Sequence, residues 1–319
     1  MSDPKLWRRL IVAVVIEEQY GVTPADLTTA TLIEVVTREA AGFYEGDTVE
    51  RERVRQGFGA FEETNTAPRT SRQIRVPYSG SGTKGTPPSF SSLLRCCAMS
   101  ETIDEATVGE EKVIYEPVSD GMESVSLLWW SDGELQVMPG VRGTWTRSSD
   151  VKAFPYIQFD VMGLYQRPTT EPAITAVLAA QAKEVPVNKM NSSFEMDAFL
   201  ARMQTCSFDV GNTVVHRHLV NYEGIHITDR RATGQLTIEA PRIDEYNIFP
   251  KIESHEFIEL SAVSFIHGTE AGNIVEMVFP RAQLSAPQES DTDGIAHYQM
   301  NMRLLPNGND DGDFQLIFR

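Results

Sequence analysis

The chain has 319 residues, 41% hydrophobic and 23% charged, enough for about two globular domains that each bury a core. Its formal net charge of −17 excludes nucleic-acid binding by phosphate neutralisation and docking on an anionic membrane surface. The cysteines Cys96, Cys97 and Cys206 form neither a disulfide framework nor a zinc-ligand spacing.

The first apolar run is Leu10–Ile16, preceded by the basic stretch Lys5 to Arg9. It has the outline of a signal sequence, but Glu17-Glu18-Gln19 follow at once without a small-residue cleavage site. It is also far short of the ~20 residues that cross a bilayer. Its Ile and Val content predicts a strand. Further strands are predicted over Thr31–Thr37, Ser71–Tyr78, Ser124–Trp130, Leu135–Trp145 and Tyr156–Leu164, with Asp132-Gly133 as a tight hairpin turn. In Tyr156–Leu164 an apolar face (Ile157, Phe159, Val161, Gly163) alternates with a mixed one (Tyr156, Gln158, Asp160, Met162), as in an antiparallel sheet with one wet side. Pro88 to Met99 predicts a short helix capped by Ser89. Before it, Ser79-Gly80-Ser81-Gly82-Thr83-Lys84-Gly85-Thr86-Pro87 reads as a polar loop too flexible to pack alone. Residues 166–186 carry prolines around the apolar run Ala173–Ala180 and read as a linker.

The second half predicts strands at Ala201–Asp209, Gly224–Thr228, Gly234–Ala240, Ser261–His267, Asn273–Phe279, Ala296–Leu304 and Phe314–Phe318. A helix is expected over Ile243 to Ile252, ended by Pro250, and an acidic turn over Leu305–Asp313.

The two halves echo one another in order. Gly46-Asp47-Thr48-Val49 matches Gly211-Asn212-Thr213-Val214, and Thr70–Pro77 matches Thr233–Ala240. Ser124–Leu127 then matches Ala262–Phe265, Gly133-Glu134-Leu135 matches Gly272-Asn273-Ile274, and Val141-Arg142-Gly143 matches Pro280-Arg281-Ala282. The expected fold class is mainly β, from internal duplication, with a first domain over 1–168, a linker over 169–186 and a second domain over 187–319. Each domain is a β-sandwich or half-barrel with one short helix.

Catalytic and metal chemistry find little support. His216-Arg217-His218 places two imidazoles on one side of a strand, with His226 beyond, but surface strand histidines are the commoner reading. Lys84-Gly85 is not the Gly-Lys-Ser/Thr of a phosphate loop, and a Gly-x-Ser-x-Gly elbow is absent. The sequence therefore predicts no enzyme, no catalytic or metal-binding residue and no cofactor. Trp129-Trp130 and Trp145 admit a carbohydrate platform, with core or interface packing the stronger expectation.

Several segments together resemble one family. They are Arg8–Ile11 through Glu18–Pro24, Tyr44–Arg51, Tyr78–Pro88, Tyr115–Gly121, Pro186–Lys189, His267–Val275 and Ser290–Ala296. With them the chain resembles, over almost its whole length, the tail tube proteins of long-tailed, non-contractile bacteriophages (siphophages). The resemblance implies a structural virion protein, made in the host cytoplasm and residing in the tail. Its rings stack into a hollow tube through which double-stranded DNA passes without tight binding. Implied partners are further copies of the chain and the tail terminator, tape measure and distal tail proteins, with no membrane. In that fold, strands of neighbouring domains join into one inner barrel, which removes exposed sheet edges. A duplicated chain then predicts three copies per pseudo-sixfold ring. Ser79–Pro87 becomes the candidate inter-ring stacking loop, and Gln158, Asp160, His297, Gln299 and Asn301 the candidate lumen-facing residues. The alternatives are a tail-terminator or head–tail joining ring, and a receptor- or carbohydrate-binding double β-sandwich.

Overall fold

The computed structural model of the protein describes residues 4–172, 181–253, 260–307 and 311–319. The expected apolar run Ala173–Ala180 and part of the acidic turn Leu305–Asp313 lie outside the described residues. In the first half, β1 (Leu10–Ile16), β2 (Thr31–Ile33), β3 (Glu45–Glu50) and β4 (Glu63–Pro77) precede helix α1 (Ser91–Cys96). Strands β5 (Met99–Asp104), β6 (Lys112–Pro117), β7 (Val125–Ser131), β8 (Glu134–Asp150), β9 (Tyr156–Leu164) and β10 (Thr169–Thr170) follow. The second half runs β11 (Ser192–Met196), β12 (Phe199–Leu200), β13 (Met203–Asp209), β14 (Asn212–Leu219), β15 (Tyr222–Arg230) and β16 (Thr233–Glu239) to helix α2 (Phe249–Glu253). It closes with β17 (Ser261–His267), β18 (Val275–Leu284), β19 (Gln288–Thr292), β20 (Ile295–Leu304) and β21 (Gln315–Phe318). The molecule is mainly β, with all strand pairs antiparallel.

Strand neighbours repeat between the halves. The first reads β4-β9-β8-β7-β1, and the second reads β16-β20-β18-β17-β11. The 17 residues of β8 serve two layers. Its start pairs with β7 as far as Val141 and its end with β9 from Arg142, and Gly140 (φ +64°) sits in the register shift just before the change. Strand β18 divides likewise, between β17 and β20. Two pairings stitch the halves together: β13 lies against the end of β8, and β21 lies against β6.

The apolar faces of these strands meet in a main core that draws on both halves, with a smaller cluster of Ala13, Leu128, Trp130 and Leu135 beside it. Trp145 packs on Phe208 and Phe314 at 5.1 and 5.8 Å between ring centroids, and Phe208 packs on Phe279 at 5.3 Å. Phe318 closes against Phe90 and Tyr115 at 5.9 and 5.8 Å. Trp129, Trp130 and Trp145 are all buried, so none offers a ring face to a sugar. Cys96, Cys97 and Cys206 are free thiols in the same interior.

Several expected elements need correction. The strand predicted over Thr31–Thr37 stops at Ile33. Ser89 does not cap α1: its hydroxyl donates to Gln181, and Phe90 takes the N-cap position without a side-chain bond. Pro250 stands in the first turn of α2 instead of ending it, where its missing N–H has no intrahelical acceptor to lose. The residue-by-residue match of Thr70–Pro77 to Thr233–Ala240 also fails. Arg72, Ile74 and Val76 are the buried set of β4 and Gly234, Leu236 and Ile238 that of β16, so the match sets buried Ile74 against half-buried Thr237. The correspondence holds between strands, not between residues.

His267 makes the fold acid-sensitive. Its Nε2–H donates to the Val185 carbonyl at 3.1 Å, leaving Nδ1 to accept from the Ser192 hydroxyl at 2.9 Å. Burial, with Arg147 nearby, pulls its pKa down to about 4. Between pH 6.5 and 4 the unfolded chain takes up a proton that the folded ring refuses. Stability therefore falls with pH by about 1.4 kcal/mol per unit from this group. Urea unfolding from pH 7 to 4 should show a shallower decline for His267→Gln than for the unaltered protein; identical slopes would contradict this.

Candidate functional site

Directly paired residues in neighbouring strands share a face, and the registers trace one polar face across both halves. One row runs Arg75, Gln158, Thr146, Asp209, Thr233 and Arg303 through β4, β9, β8, β13, β16 and β20. A second runs Tyr156, Ser148, Ser207, Gln235 and Asn301, and a third runs Asp150, Thr205, Thr237, Gln299 and Gln288. Gln73, Asp160 and Thr144 form a shorter row beside the first. A depression of about 800 Å³ lined by Thr146, Ser148, Ser207, Asp209, Gln235 and Asn301 opens on this face.

The structure thus brings Gln158 and Asp160 onto one surface with Gln299 and Asn301, although they come from opposite halves. His297 shares their side through Glu239 and Ser290, but it is buried and does not present its ring to solvent. Gln73 donates to Asp160 at 2.8 Å, Arg75 donates to Gln158 at 2.8 Å, and Gln158 donates to Asp160 at 3.1 Å. The four rows carry three carboxylates (Asp150, Asp160, Asp209) against two guanidiniums (Arg75, Arg303); the other positions are hydroxyls and amides, with one phenol. The excess acid of the chain therefore lies elsewhere. Such a face offers phosphate neither a cationic seat nor a strong repulsion.

The loop Ser79–Pro87 is not the free segment its composition suggests. Ser79, Gly80 and Ser81 are buried, while Gly82, Thr83 and Thr86 are exposed and Lys84, Gly85 and Pro87 are half-buried. Gly80 N–H donates to Asn273 Oδ1 and Gly82 N–H to the Gly272 carbonyl, both at 3.0 Å. Lys84 Nζ donates to the Gly109 carbonyl. A Cβ on Gly272 would stand 2.4 Å from the Gly82 carbonyl carbon, and its φ is +81°. Gly272→Ala should therefore lower stability by about 1–3 kcal/mol in thermal unfolding; an unchanged Tm would contradict this docking.

Two hairpins carry some of the exposed apolar residues, among others spread over the surface. In β3–β4 and its loop, Val49, Val54 and Phe58 are exposed, the last two fully. In β14–β15, Leu219, Val220 and Tyr222 are exposed. The shared Gly-x-Thr-Val motif opens the first strand of each hairpin. Residues 52–62 carry no motif in the sequence, and their signal is Val54, Phe58 and Phe61 among charges and glycines. In the second hairpin His216 and His218 stand 6.0 Å apart, but His216 pairs with Glu223 and His226 with Tyr222. Among the described residues no group of three or more His, Cys, Asp or Glu is placed to hold a metal ion. Nor is any described helix long and apolar enough to cross a membrane.

The β14–β15 hairpin is seated on the first half. Tyr20 hydroxyl accepts from Ile225 N–H and donates to the Gly140 carbonyl at 3.3 Å, and Arg142 donates to the Ile225 carbonyl at 3.1 Å. The Glu17 carboxylate fixes this seat by accepting from Ser124, Ser126, Gly21 N–H and Gly140 N–H.

No protein-family model matches the chain, and no curated protein is significantly similar to it.

Proposed function

We propose that the protein is a tail tube subunit of a long-tailed, non-contractile bacteriophage, a structural protein without enzymatic activity that forms rings stacked into a DNA-conducting tube. The observation that carries this reading is the polar face that runs unbroken through strands of both halves. Placed inward, hydroxyls and amides in near charge balance would let DNA slide without holding it. The resemblance in sequence supports the same reading, as do the exposed apolar hairpins, which are costly on a solitary molecule. Two tandem domains per chain, related by duplication, would supply two equivalent positions, so three copies complete a pseudo-sixfold ring.

Negative-stain electron microscopy at rising protein concentration tests this. Long hollow tubes with regular striations are expected. Rings that never stack would turn the reading to a tail-terminator or head–tail joining ring, and monomers at every concentration would overturn it.

A further inference from the structure

Inside one chain, two of the contacts that join the second half to the first belong to the polar sheet and its flanking hairpin. Strand β13 pairs with the end of β8, from Thr205 opposite Asp150 to Asp209 opposite Thr146. The β14–β15 hairpin that follows it then folds back onto Tyr20 and Arg142. Each of the four parties to this junction has a counterpart in the other half, and among the described residues no strand pairs with the outer edge of the two sheet counterparts.

The counterpart of the β8 end is the edge formed by the end of β18 and by β19. These residues run along β20 as β8 runs along β9, and Arg281 matches Arg142 in the motifs shared by the two halves. Among the described residues β19 pairs with β20 alone, and Gln288 to Asp291 are exposed. The counterpart of β13 is the segment 36–43. It lies along β4 as β13 lies along β16: Val36 N–H donates to the Arg75 carbonyl at 2.8 Å, and Arg38 bridges to Ile74. Buried Arg72 donates to the Gly42 carbonyl, and Thr70 to that of Phe43. Among the described residues no strand covers the far side of this segment. The counterpart of the seated hairpin is β3–β4, whose loop 51–60 is exposed throughout.

We infer that the junction within the chain is the template for the junction between chains. Segment 36–43 of one copy pairs antiparallel with the β18–β19 edge of the next, and the β3–β4 hairpin seats on the second half of that copy around Arg281. The occupant is a second copy because the chain carries both complementary edges, one at each end of its polar sheet. Such a contact is heterologous, joining unlike edges head to tail, and it closes into a ring when the rotation closes. It also covers two rows of unpaired backbone groups that otherwise invite aggregation. The inference deepens the ring reading and rests on it for closure.

Paired cysteine substitutions test the junction. Val36→Cys or Ala40→Cys is combined with Gln288→Cys or Ser290→Cys, giving four double variants that tolerate a small error in register. All four positions are exposed, whereas the natural cysteines are buried. Mild oxidation at assembling concentration should give covalent dimers and higher multiples from at least one double variant, and none from the single variants. Replacing residues 51–62 by a short turn should raise the concentration needed for assembly about tenfold or more, with circular dichroism and Tm unchanged. Rings that form normally while all four double variants stay uncross-linked would overturn this junction and leave the ring reading standing. Failure of the unaltered protein to assemble would remove both.

Discussion

A chain ending at Pro168 is expected to unfold without a cooperative transition and to bind a hydrophobic dye, although it contains β1 to β9 complete. The reason lies in what the second half covers. Without β13, the end of β8 keeps β9 but loses its other neighbour from Thr146 to Asp150; without β21, β6 keeps β5 but loses its other neighbour from Val113 to Tyr115. Trp145 is stripped of Phe208 and Phe314, while Phe90 and Tyr115 are stripped of Phe318. Each large side chain returned to water costs about 1.5–3 kcal/mol. Three of them together remove a large share of the ~5–15 kcal/mol that typically separates folded from unfolded states. Calorimetry of residues 1–168 against the whole chain decides this, and a sharp transition in the fragment would contradict the shared core.

Trp145→Ala is the second large effect. The indole is fully buried where the two halves meet, and truncation leaves a cavity ringed by Phe208 and Phe314. The loss is about 3–5 kcal/mol, a fall in Tm on the order of 5–10 °C for a chain this long. Trp145→Phe should cost much less, because the indole N–H has no hydrogen-bond partner among the described residues and phenylalanine removes it while refilling most of the space. Equal losses for the two variants would mean that cavity volume does not set the cost.

Strands whose burial alternates strictly were legible from sequence almost to the residue. Tyr156–Leu164 and Ser261–His267 match β9 and β17 at both ends, since a two-residue period leaves one register when a single face is buried. Length was not legible where a strand changes layer. Leu135–Trp145 underestimates β8 because the end beyond Trp145 is held by β13, from the other half of the sequence. Local composition misled at Ser79–Pro87, where glycine and serine suggest freedom but Gly80 docks on the Asn273 side chain and Gly82 on the Gly272 carbonyl, nearly two hundred residues away. Four of the five polar residues singled out for a channel wall do present themselves on one face. His297 is the exception: it is buried, with its Nδ1 3.0 Å from the carbonyl of Ile295 in its own strand. The outer edges were illegible for a different reason: an edge is a property of the assembled sheet, not of the strand that forms it.

The most direct test of the account is the mass of an isolated ring by native mass spectrometry. The account predicts particles of three chains and, on stacking, whole multiples of three. Particles of six chains in a single ring would contradict the paired-domain geometry, and single chains at every concentration would contradict assembly itself.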